Sequence, residues 1–121
     1  MWRESNMEIT TLLHCFDRSE LRAWLENNHS IEKECWVVMS RGKNPPAGVL
    51  PYLEVVEEAL CFGWIDSTLK RLPDGNLAQR LSPRRKKSHW TQLNIERCLE
   101  LEERGLMTEA GRKAYLAAKV L

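Results

Sequence analysis

With 121 residues, 43% of them hydrophobic and 29% charged, the chain has the make-up of one folded unit, large enough to close a core without disulfide or metal staples. Eighteen basic against seventeen acidic side chains leave a formal charge of +1, which excludes a whole-molecule field drawing it onto nucleic acid or anionic lipid. Residues 1–9 include Arg3, Glu4 and Glu8 and no apolar run of signal-peptide or membrane-span length, which predicts a cytoplasmic protein without membrane insertion.

In chain order, Ile9 to Phe16 is apolar enough for a short strand or extended arm. Phe16-Asp17-Arg18-Ser19-Glu20-Leu21 then reads as a helix start: Asp17 caps the Glu20 amide, Glu20 reaches back, and Phe16 packs on Leu21. Leu21, Trp24 and Leu25 continue at helical spacing until Asn27-Asn28-His29-Ser30. Cys35-Trp36-Val37-Val38-Met39 is a continuous apolar run ending in a Gly/Pro-rich loop, so it predicts a central buried strand. Pro51 suits the first turn of the next helix, with Leu53, Val56, Ala59 and Leu60 on its packed face and Glu54, Glu57 and Glu58 as solubilising charges off it. Gly63 is the natural stop.

From Trp64 the period changes. Ile65 to Leu72 and Leu77 to Ser82 flank Pro73-Asp74-Gly75-Asn76, a hairpin signal with glycine where positive φ is needed. A last helix pair follows, the first with Ile95, Cys98, Leu99 and Glu102 along one side and closed by Gly105, the second capped by Thr108 and carrying Ala114, Ala117 and Leu121. The predicted fold class is α+β: a small, largely antiparallel sheet with a β-hairpin, packed against about four helices as a single domain over residues 1–121.

Chemistry gathers at two stretches. Arg84-Arg85-Lys86-Lys87 runs into Ser88, read as the cap of the following helix, whose unpartnered amides and partial positive charge favour an anion. Trp90 beside these cations is an indole to be packed or used. After Gly63, Trp64 and Asp66 point to one side of a strand and Ile65 to the other. If Ile65 faces the core, Trp64 and Asp66 face a cleft together, where Asp66 pairs with or orients an arginine of the 84–87 loop.

No catalytic constellation is evident: Ser88 and His89 are sequence neighbours without a third orienting group. Four cysteines standing at least twenty residues apart and three isolated histidines predict buried thiols, no metal site and no cofactor. Lys70, Arg71 and Arg80 beside the basic run are ingredients of single-strand binding. The patch is small and the net charge near zero, which argues against nucleic acid and leaves only a weak RNA contact open.

These same residues carry a resemblance. Leu21-Arg22-Ala23-Trp24-Leu25, Glu34-Cys35-Trp36-Val37, Glu58 to Asp66, and Pro83 to Trp90 with Asn94 resemble the bacteriocin-protection, YdeI/OmpD-associated family, over about residues 12 to 118. The resemblance implies that the recurring positions are Trp64, Asp66, Pro83, Arg84, Lys87, Ser88, Trp90 and Asn94, and it implies a bacterial role in stress or bacteriocin tolerance, without a reaction. Ser67 stands where the family often has glycine, and family members look longer, with a further basic helical region at the C-terminus.

The expectation is a binding protein of unknown function that takes a small anionic or peptide-like ligand. Arg84 and Lys87 supply charge, the amides beyond Ser88 supply donors, Trp64 and Trp90 form walls, Asp66 orients the cations, and Asn94 completes the site. The alternative is a protein-interaction or homodimerisation module whose exposed indoles and cations form a flat surface.

Overall fold

The computed structural model describes residues 8–85 and 88–119. Nine elements follow in order: β1 (Leu12–Leu13), α1 (Arg18–Asn28), β2 (Cys35–Ser40), β3 (Leu50–Pro51), α2 (Tyr52–Cys61), β4 (Trp64–Arg71), β5 (Leu77–Pro83), α3 (Gln92–Glu103) and α4 (Glu109–Lys119). The architecture is the expected α+β, with the strands forming one mixed sheet. Its order is β1-β2-β5-β4, with β3 also on β2. The long ladders, β2 with β5 and β5 with β4, are antiparallel, while the two-residue strands β1 and β3 join β2 in parallel. The apolar run of β2 is therefore central, as its continuity requires.

Local chemistry explains most boundaries. Asp17 accepts the Glu20 amide at 3.1 Å and Glu20 accepts the Phe16 amide at 2.8 Å, a reciprocal capping box. Its hydrophobic staple is missing: Phe16, expected on Leu21, stays 74% exposed. At the hairpin tip Gly75 adopts φ +91°, and the Leu72 amide donates to the Asn76 carbonyl at 2.8 Å. Pro51 sits one residue ahead of α2, in extended geometry. Leu53 and Leu99, both expected on packed faces, are exposed.

Cross-strand register decides which residues share a face. Cys35, Val37 and Met39 lie on the side of Leu81 and Trp64, and this side joins Leu21 and Leu25 of α1, Leu60 of α2, Cys98 and Leu101 of α3, and Tyr115 of α4 in one core. All four cysteines are buried and free. Burial pushes the thiols of Cys35 and Cys98 up to about 12 and those of Cys15 and Cys61 up to about 11, far from nucleophilic range at neutral pH.

Two carboxylates depart from the sequence reading. Glu57 and Glu58 are 7% and 1% exposed, not surface charges. Arg18 spans both, at 2.9 Å to Glu57 and 2.6 Å to Glu58; Arg22 reaches Glu58 at 3.2 Å and Arg104 reaches Glu57 at 3.0 Å. Arg22 also donates to the Leu106 carbonyl at 2.6 Å, so one ionic network ties α1, α2 and the α3–α4 turn. The desolvation cost of two buried carboxylates is offset only because three guanidiniums satisfy them.

Candidate functional site

Close backbone approach places the site. Gly63, at φ +74°, lets the chain leave α2 and enter β4 directly beneath α4: a Cβ there would stand 3.0 Å from the Ala110 carbonyl. The Gly63 carbonyl accepts the Arg84 amide at 3.1 Å, so the end of β5 is held beside the start of β4 and under α4. The two stretches singled out in the sequence do meet.

Their side chains are arranged differently from the expectation. Trp64 turns inward: it is 1% exposed, stands edge-on to Trp24 at 5.9 Å between centroids, and donates from Nε1 to the His29 carbonyl at 3.3 Å. It is a core residue and forms no wall of a cleft. Asp66 follows it to the helix-facing side, where its Oδ2 accepts the Tyr52 hydroxyl at 2.9 Å. Burial first and this carboxylate second push the Tyr52 phenol up. Ile65 takes the opposite face, the reverse of the expected orientation, because the exit at Gly63 brings Trp64 rather than Ile65 under the helices.

Arg84 is the pivot. Its guanidinium carbon sits over the Trp90 ring, 3.6 Å from the centroid, and the group donates to the His89 carbonyl at 3.2 Å and the Ser88 hydroxyl at 3.4 Å. Its Nε is buried with no hydrogen-bond partner, and it forms no ion pair among the described residues. Burial draws its pKa down from the usual guanidinium range, and Asp66 lies within electrostatic reach to oppose that without touching it. Arg84 thus remains a cation with no carboxylate in contact.

On the sheet face away from the helices, Arg84 borders a cleft of about 630 Å³, floored by Ile65 and Pro83 and ringed by Lys33, Arg80, Arg85, Ser82 and Ser88. Glu34 answers one cation, accepting Arg80 Nε at 2.7 Å. A hydrogen bond from Thr10, and then Arg80, hold the Glu34 carboxyl below the usual carboxylate range. The cleft is accordingly cationic, with two hydroxyl donors. On the other side of Arg84, a second recess of about 390 Å³ lies between Trp90 and α4, bordered by Ala110, Ala114 and Ala117.

Of the predicted site residues, Arg84, Ser88 and Trp90 come together at these recesses, and Asp66 approaches from beneath. Asn94 is set back on α3, accepting Arg97 Nη1 at 3.0 Å. Lys87 lies outside the described residues. Ser88 is not the cap of α3: Thr91 accepts the Asn94 amide at 3.1 Å, so the free amides of that helix begin three residues later than expected and Ser88 serves Arg84. Sequence reasoning missed Lys33, Ile65 and Ser82, and weighed Arg80 only for nucleic acid. The available signal was the hairpin register, which sets Ile65 opposite Ser82.

Fold and cleft define an α+β protein with a basic surface site at the open end of its sheet. Residues 13–114 match the model of a family described as a domain of unknown function (DUF8412), and the chain belongs to that family. No curated protein and no solved structure matches the chain. No helix among the described residues is long and apolar enough to cross a membrane.

Proposed function

We propose that this protein binds a small anionic or peptide-like ligand in the cleft bordered by Arg84, as a cytoplasmic bacterial protein contributing to stress or bacteriocin tolerance like the YdeI/OmpD-associated proteins it resembles. One observation carries the reading: Lys33, Arg80, Arg84 and Arg85 converge with two serine hydroxyls on one cleft, and among the described residues only Arg80 has a carboxylate in contact. Guanidinium forks and hydroxyls are the donors that carboxylates and phosphates accept. Binding without turnover fits best, because the Ser88 hydroxyl is engaged by Arg84 and no acid–base partner reaches it among the described residues.

Thermal denaturation with inorganic phosphate, citrate and short acidic peptides tests the proposal. Lys33 and Arg85 are exposed, so a Lys33→Ala/Arg85→Ala variant keeps the fold while removing charge. A ligand at a hundred times its Kd stabilises the native state by about 2.7 kcal/mol. The melting temperature of the parent rises accordingly, and that of the variant rises far less. Equal rises in both, or none with any anion, refute the assignment.

A further inference from the structure

The two recesses share a wall. Arg84 and Arg85 border both the cationic cleft and the recess under α4, and the Arg84–Trp90 stack stands between them. Their linings differ in kind. The first adds cations and hydroxyls to a floor of Ile65 and Pro83, whereas the second is mainly indole and alanine methyls, with Lys113 as the further cation at its border. Among the described residues its borders hold no carboxylate, so its cationic rim complements an acid group while its floor is mainly apolar.

We propose that the recess between Trp90 and α4 takes the apolar chain of the ligand whose acid group sits in the cleft, so that the ligand is a free single-chain amphiphile: an alkyl or acyl chain ending in a phosphate or carboxylate. This rests on the reading of the cleft as an anion site. The argument for an alkyl chain over a peptide is hydrogen-bond accounting. At Lys113 and Ala114 the far wall is the middle of an α-helix, whose N–H and C=O groups are spent on one another, and backbone groups are left over only in its end turns, at Ala110 and Ala117. An extended peptide laid there would bury amides without partners, at a cost that an alkyl chain does not incur. From Ala110 to Ala117 the helix advances about 10 Å, a run suited to a chain of medium length. The indole face and the aliphatic stems of Arg84 and Lys113 flank such a chain, as amphipathic side chains commonly do.

Isothermal titration with inorganic, butyl, octyl and dodecyl phosphate reads the proposal directly. Each buried methylene tightens binding by up to about fourfold, and in a groove open on one side by about twofold, so octyl phosphate binds on the order of tenfold tighter than butyl phosphate. Ala117→Asp, at an exposed position, places a negative charge in the recess; it abolishes the chain-length gain and leaves inorganic phosphate affinity near that of the parent. Circular dichroism of that variant verifies its fold, and Ala117→Phe, which fills the recess without charge, gives the same loss. Phosphate affinity independent of chain length overturns the amphiphile while leaving the anion site standing. No binding of any phosphate overturns the reading on which it rests. Binding confined to phosphatidylglycerol vesicles, with none of soluble octyl phosphate, overturns the free-ligand assignment in favour of a membrane lipid.

Discussion

Glu58→Ala is the sharpest probe of how this fold is held. The carboxylate is 1% exposed and accepts Arg18 Nε at 2.8 Å and Arg22 Nη1 at 3.2 Å, with Arg18 Nη2 at 2.6 Å. Its loss strands two guanidiniums on the α1–α2 seam. Breaking a buried ion pair on one side costs about 3–5 kcal/mol. Arg18 and Arg22 are a quarter exposed, at 25% and 24%, so water recovers part of their solvation. Arg18 also keeps Glu57. The expected loss is therefore about 2–4 kcal/mol, against the ~0–1 kcal/mol of an ordinary surface pair. Urea denaturation followed by far-UV circular dichroism measures it, with Glu54→Ala, in the first turn of the same helix and without an ion pair among the described residues, as the control, expected to lose no more than about 1 kcal/mol. A loss below about 1 kcal/mol at Glu58 refutes the idea that α1 and α2 are joined through this carboxylate.

Gly111→Ala places a Cβ 2.6 Å from the Leu60 carbonyl and 2.5 Å from Met107 Sδ, with the Cys61 carbonyl closer still. Two of those atoms are backbone and cannot yield, so calorimetry finds a destabilisation at or above the ~1–3 kcal/mol usual for overpacking; a melting temperature within a degree or two of the parent contradicts the packing of α4 on α2. Glu102 accepts Arg112 at 2.7 Å and Tyr115 at 2.6 Å, contacts that hold its carboxyl down to about 2, against about 4.3 for a free glutamate. A depressed carboxyl contributes stability that is complete above the unfolded value and is lost as pH falls through the folded one, so the loss runs from about pH 5 down to about pH 2. Glu102→Gln flattens that part of the stability–pH curve, and an unchanged slope in the variant rules out the α3–α4 tether as its source.

Elements with short-range causes were legible in the sequence. The Asp17 box, the continuous run of β2 and the glycine of the hairpin each act within a few residues, and each stands where the pattern put it. What alternation could not supply was an absolute direction. It correctly paired Trp64 with Asp66 on one side and Ile65 on the other, yet which side faces the helices depends on Gly63 meeting Ala110, a contact 47 residues apart in sequence that no local window contains. The same holds for Glu57 and Glu58. Their neighbours on α2 make them look like outward charges, whereas Arg18, Arg22 and Arg104 arrive from 36 to 47 residues away. The cleft was half visible: its loop is one basic run, but Lys33 and Arg80 join it through strand pairing.

The break in register between Asp66 and Leu69 has a bearing on how copies of the chain avoid one another. Among the described residues β4 ends the sheet, and such a margin presents backbone donors and acceptors that a second molecule can zip onto. The irregularity at Ser67 and Thr68 splits that margin into two short runs, and Lys70 and Arg71 set like charges in the second. An identical edge approaching parallel and in register meets the same break and the same cations, which disfavours continuous pairing of two copies through the strand that helps to build the cleft.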